Sequence, residues 1–421
     1  MLKKIIVFVA LVATSFVQAK TIKNCEPAIV DVRLPNVIDS NMTLSASKVY
    51  GIDRKVIVNN GATLTIEPGT TLAGCSLYSF LAIANDAKII AKGTKHKPII
   101  FTSQLDLLGF SSPRNSLGEW GGLVIAGRAY THYKENKYEA DESITFGSQS
   151  HEYDEDSSGI LEYVVIKYTG YEVKKDKELN GLSLAGVGSG TVIKNIAIIG
   201  GADDGIEIWG GSVNIDGLYV YNAKDDSVDV DLGYRGEIKN VLVVQNKVSK
   251  TNNHDSSAME FGNDENLIKT GEKTATLPTI KNLTAYIKGG GIYNKYDAGF
   301  RLKNVKILSE KKENCEMVHF RGKDSYTTGA KFLDGDLCLY DKAKPLKIKE
   351  LFSKKNSKTP KKSYTAYDFF IKNNLVKGNG KIISCKDQYK GVNEKVVWKG
   401  KRGSNEPLAQ SMKPELFSQH R

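Results

Sequence analysis

Long apolar runs are missing from this 421-residue chain once its first 19 residues are passed. A membrane-spanning helix needs roughly 20 such residues, so the body of the protein is not expected to span a membrane. Helical periodicity is missing too, since no long stretch repeats its apolar residues at a spacing of three or four. Cysteine is limited to Cys25, Cys75, Cys315, Cys338 and Cys385, with no CxxC pair and no His/Cys cluster, which leaves no zinc framework. Proline numbers only 10 residues against 39 glycines. What remains is short β-branched runs punctuated by glycine and asparagine turns, the pattern of an all-β chain.

The opening residues, "MLKKIIVFVALVATSFVQAK", combine two lysines, an apolar run too short to span a bilayer and a small-residue ending. They read as a secretory signal peptide over 1–19, cut after Ala19. No cysteine stands at the cut, which argues against a lipid anchor. Export permits disulfides; Cys25–Cys75 and Cys315–Cys338 are the expected pairs, leaving one thiol. Loss of Lys3 and Lys4 takes the net charge from +11 to +9. Much of that excess lies in residues 311–403, as in "KKNSKTPKK". A basic surface can meet nucleic acid, acidic glycan or anionic membrane, but export makes nucleic acid an unexpected partner, and a solubilising face explains the lysines most simply. "DSNMT" places Asn41 in a glycosylation acceptor pattern, with Asp39 two residues ahead.

The chain repeats itself. "GTVIKNIAIIGGADDGIEIWGG" (190–211) aligns without gaps on "SVNIDGLYVYNAKDDSVDVDLG" (212–233). Ile193 then meets Ile215, Ile196 meets Leu218, Ile198 meets Val220, Ile206 meets Val228 and Ile208 meets Val230. A 22-residue period of short strands and tight turns predicts a parallel β-solenoid, whose coils bury their apolar faces only by stacking. Alternation puts Ile206 and Ile208 inside and Glu207 and Trp209 outside. Polar insertions at 128–158 and 247–277 interrupt the period. The expected organisation is a cap over 20–55, a right-handed parallel β-helix over 56–340 and a lysine-rich segment over 341–421.

The phrases "NNGATLTIEPGTTLAG", "KPIIFTS", "WGGLVIAGRA", "LNGLSLAGVGSGT", "DDGIEIWGG" and "KDDSVDVDLGYRG" resemble a family of secreted bacterial β-helix proteins of the pectate-lyase-like superfamily. The resemblance covers roughly residues 50–325. It implies a fold and an exported location, in the periplasm or at the cell surface. It implies no established activity.

Two adjacent aspartates recur in register, Asp203 and Asp204, then Asp225 and Asp226. Coils stack about 4.8 Å apart, so the second pair is expected beside the first, with Glu207, Asp229 and Asp231 extending an acidic strip. Three readings apply. As turn residues, the aspartates would hydrogen-bond backbone N–H groups, and the glycine after them would supply positive φ. As a ligand or cation site, Asp203, Glu207, Trp209, Asp229 and Asp231 would line it; no cofactor is otherwise expected, and calcium is the candidate ion. As a hydrolase or lyase, the chain would resemble the polygalacturonase type. "ADDGIEI" then supplies Asp204, "KDDSVDV" supplies Asp225 and Asp226, and "AGFRLKN" supplies Arg301 and Lys303 to hold a sugar carboxylate. The Gly-His-Gly motif of that type is missing, His254 being about three residues early and unflanked by glycine. Trp120, Trp209, Tyr219 and Tyr221 are candidate sugar-stacking aromatics. The turn reading is the simplest, and the chain is read as an exported binding or scaffolding protein for a polysaccharide or envelope component, with the enzyme as the alternative.

Overall fold

The computed structural model describes residues 24–309, apart from 133–135, 176, 246–255, 264–275 and 297, together with the strands Val318–Arg321, Lys331–Leu333, Leu337–Asp341, Val376–Lys377 and Ile382–Ser384. The leader, Cys315, His254, Cys385 and most of the lysine-rich segment lie outside the described residues. Among the described residues, parallel strands form one sheet of seventeen and another of ten. No helix of these residues is long and apolar enough to cross a membrane. The chain is a right-handed parallel β-helix.

Its cross-section has three faces. In early coils two separate strands, such as Lys88–Lys92 and Ile99–Ser103, pair with the two halves of one long strand, Gly159–Thr169. The long strands that follow, Val192–Gly201, Asn214–Ala223, Glu237–Val244, Thr279–Ile287 and Phe300–Ser309, therefore supply a first face and, after a corner, a second. A single left-handed residue makes the corner in each coil: Tyr163, Asn195, Gly217, Asn240, Asn282 or Asn304. Asparagine tolerates that conformation better than other side-chain-bearing residues. Its amide also stacks, with Asn282 Nδ2 donating to Asn240 Oδ1 and Asn304 Nδ2 to Asn282 Oδ1, both at 3.2 Å. The ten-stranded sheet is the third face.

The 22-residue register holds residue by residue. Ile193 pairs with Ile215, Ile196 with Leu218, Ile206 with Val228 and Ile208 with Val230. The inward columns join into one core from Leu34 to Leu337, each fully buried aliphatic side chain contributing about 1.5–3 kcal/mol. The ladders also run past the boundaries drawn from sequence. Val32–Arg33 and Met42–Leu44 already pair in parallel with later coils, and Ile382–Ser384 pairs with Leu337–Asp341. Divergent edge coils and the lysine-rich stretch before residue 376 hide the period at both ends. Cys25 and Cys75 form the expected disulfide, 50 residues apart; the Cys315–Cys338 pairing falls outside the described residues. Asn41 is exposed, and its Oδ1 accepts the Thr63 N–H at 2.9 Å.

Candidate functional site

The outward side of the third face changes character along its length. One outward column runs Ile57, Ala82, Val124, Ser183, Glu207, Asp229, Glu260, Tyr293. Its first members are small and apolar, and the polar insertion explains them. Asn136–Tyr138 and Asp141–Phe146 form an antiparallel hairpin whose Tyr138, Ile144 and Phe146 pack on Ala82, Val124, Ala126 and Ala185. The Tyr138 and Ser183 hydroxyls are hydrogen-bonded at 3.1 Å. Beyond Ser183 the column is acidic through Glu207, Asp229 and Glu260 before it reaches Tyr293.

Trp209 stands at the junction. It is half-buried rather than fully outward, because the hairpin reaches it: Tyr138 meets its ring edge-on at 5.4 Å and Phe146 lies at 6.3 Å. Between them is a pocket of about 270 Å³, lined by Asn136, Lys137, Tyr138, Glu139 and Phe146 of the hairpin and by Trp209 and Leu232 of the helix. The other candidate aromatics are elsewhere. Trp120 is fully buried in the core, donating Nε1–H to the Lys167 carbonyl at 2.7 Å. Tyr219 and Tyr221 are buried on the second face.

The repeated aspartates separate into two kinds. Asp204 and Asp226 are buried and act as links between coils. The Asp204 N–H donates to Asn180 Oδ1 at 3.1 Å, the Asp226 N–H to Asp204 Oδ1 at 2.8 Å, and the Ser257 N–H to Asp226 Oδ1. The bonds therefore reach the next coil instead of closing a local turn. Gly205 does not have positive φ; a Cβ there would meet Val220 Cγ1 at 2.5 Å, so close approach is what favours glycine. Asp203 and Asp225 are half-buried and face each other across the stack.

Burial pushes the Asp203, Asp204, Glu207, Asp226 and Asp229 carboxyls well above the usual range, and neighbouring carboxylates push them further. Asp231 is raised to about 6 by burial, against a backbone hydrogen bond from Leu232 and the charge of Lys295. Glu139 is raised to about 7, by burial and then by Glu178. Lys295, ion-paired to Glu260, supplies positive charge at the far end of the strip. Asn180, Glu139, Glu178, Glu260 and Lys295 were not read from the sequence. The first three sit outside the 22-residue repeat and the last two follow an insertion, although "MEF" and "IYN" preserve the strand alternation.

Arg301 and Lys303 do not join this group. They stand on the first face, and the pairing series Lys194, Asp216, Lys239, Lys281, Lys303 puts Lys303 four coils beyond Lys194, roughly 19 Å at the usual strand spacing. "AGFRLKN" resembles the sugar-carboxylate motif in letters but leads into a different sheet.

The profile of the pectate-lyase-like β-helix domain matches residues 36–382. The chain belongs to this pectate-lyase-like β-helix family. No curated protein and no solved structure matches it. Membership accounts for the stacked parallel sheets, while a shared fold carries no particular chemistry; in this pectate-lyase-like chain, function has to be argued from the third face.

Proposed function

We propose that the protein is an exported, non-catalytic binding protein of the cell envelope that holds a glycan unit in the pocket beside Trp209. The observation that carries the non-catalytic reading is the use of Asp204 and Asp226 as acceptors for backbone N–H groups of the following coil. A general acid or base needs its oxygen within reach of substrate, and these two are buried and engaged. Arg301 and Lys303 on the first face give them no partner for a sugar carboxylate. The pocket supports binding: it lies beside the half-buried Trp209 and is also lined by Tyr138, Phe146, Lys137, Glu139 and Asn136. At about 270 Å³ it suits a single sugar ring rather than a length of chain. The leader sequence and the Cys25–Cys75 disulfide support export.

A glycan array followed by titration tests this. Wild type is expected to bind a defined glycan and Trp209→Ala to bind it at least about tenfold more weakly, the loss of one aromatic stacking partner. Polygalacturonate incubated with wild type should release no reducing or unsaturated ends. Release that Asp226→Asn abolishes would replace the binding reading with the hydrolase or lyase.

A further inference from the structure

Asn-x-Ser/Thr occurs twice in the chain, at Asn41-Met42-Thr43 and at Asn282-Leu283-Thr284, and the fold places the two in opposite settings. Asn282 is a corner residue in the left-handed conformation. Its Nδ2 donates to Asn240 Oδ1 and its Oδ1 accepts from Asn304 Nδ2, both at 3.2 Å. Thr284 is buried. An enzyme would have to open the asparagine ladder to reach this pair. Asn41 stands near the other end of the helix, in the bend between the strands Val37–Ile38 and Met42–Leu44. Asp39, Ser40, Asn41 and Thr43 are exposed, and Met42 is half-buried. Alternation along the strand turns Leu44 into the core and leaves Thr43 outside. Among the described residues, Met42–Leu44 pairs with Thr63–Ile66 on one side and with no strand on the other, so the segment borders the open end of the stack. The Thr63 N–H donates to Asn41 Oδ1 at 2.9 Å. That bond holds the amide at the surface without using Nδ2.

We propose that Asn41 is an N-glycosylation acceptor, modified by an oligosaccharyltransferase after export. The reaction joins Asn41 Nδ2 to the anomeric carbon of a polyprenyl-diphosphate-linked oligosaccharide. The carbon–oxygen bond to the diphosphate breaks, polyprenyl diphosphate leaves, and the amide proton passes to a carboxylate of the transferase. An amide nitrogen is a weak nucleophile because its lone pair is shared with the carbonyl, so the acceptor has to be gripped. Thr43 offers a hydroxyl for that grip, and Asp39 offers a carboxylate to a cationic group of the enzyme. Both are on the surface. Asn282 has Ile280 at the place of Asp39, so it lacks the charged anchor as well as the access. The bond from Thr63 survives transfer, since Oδ1 remains an acceptor in the glycosylated amide. The proposal rests on export, and it is independent of what the pocket beside Trp209 holds.

The folded full chain, incubated with a purified bacterial oligosaccharyltransferase and a polyprenyl-diphosphate-linked oligosaccharide, should gain the mass of one glycan. Tryptic peptide 34–48 should carry it, and peptide 282–288, which begins at Asn282, should not. Asn41→Gln should abolish the gain, and Asp39→Ala and Thr43→Ala should each reduce it, while all three variants keep the β-sheet circular dichroism spectrum of wild type. No gain in the folded chain, a gain at Asn282, or a gain that Asn41→Gln retains would overturn the proposal. In the cells that make it, the chain should be found without residues 1–19 and with the glycan. A leader-free chain with Asn41 unmodified would overturn the proposal alone, whereas a chain that keeps its leader would overturn the export reading with it.

Discussion

The two halves of the third face share an inward side and differ outside. Inward, Leu81, Leu123, Leu182, Ile206 and Val228 form one uninterrupted apolar column. Outward, Ala82 and Val124 lie under the hairpin, whereas Glu207 and Asp229 lie beyond it. Strand alternation decides only which residues point out. What those residues must be is decided by the chain that covers them. Aromatic side chains from an insertion select small apolar positions, and where that cover ends the outward positions turn to carboxylates.

The largest effect expected from this contrast is at Tyr138, which is fully buried against the apolar half. Tyr138→Ala should cost about 3 kcal/mol in urea unfolding, whereas Glu207→Gln in the acidic half should be neutral or stabilising in calcium-free buffer. A cost below about 1 kcal/mol at Tyr138 would mean that the hairpin is an ornament and the contrast has another cause. Asp226 provides a finer cut within the acidic half. Asp226→Ala leaves the Ser257 N–H without its acceptor and should lower stability by about 1–3 kcal/mol. Asp226→Asn keeps an oxygen at that place and should change little; equal losses in the two variants would show that the charge, not the acceptor, matters.

The smallest effect concerns pH. Glu139 is raised from 4.5 to about 7 by burial and by Glu178, with Lys177 opposing. Between those values the folded chain retains a proton that the unfolded chain has released. Its contribution is therefore full below about pH 4.5 and is lost as pH rises through about 7. In calcium-free buffer the melting temperature should fall across this window, and Glu139→Gln should flatten the slope. A wild-type profile that rises or stays level would contradict the crowding inferred around the hairpin.

Much of the fold was legible because two consecutive coils repeat without a gap, so one alignment fixes the inward columns, the coil length and the pairing of Asp204 with Asp226. The site was legible only in part. Asp203, Asp204, Glu207, Asp225, Asp226, Asp229 and Trp209 fall in those two coils and do come together on or beside the third face. Glu139 and Tyr138 arrive from an insertion whose docking partner no local pattern names. Arg301 was misleading for the opposite reason: its motif fits by letter, and only the corner at residues such as Asn304 shows that it belongs to another face. Asp204 is at once a link between coils, a role not weighed for it from the sequence, and a member of a carboxylate triad.

The corner between the first and second faces also says where this chain tolerates growth. From residue 159 onward each corner is a single left-handed residue, and the long strands run through it without added chain. Extra length occurs instead where the chain enters the third face, at 170–181, 246–256 and 310–317, or leaves it, at 262–278. The earlier hairpin segment, 127–158, also follows a third-face strand. From residue 159 onward the two seams beside the third face carry the added chain and the remaining corner carries none, whereas in the early coils that corner holds segments such as 93–98. A single residue added at Asn240 would move every following side chain of that strand to the opposite side of its sheet.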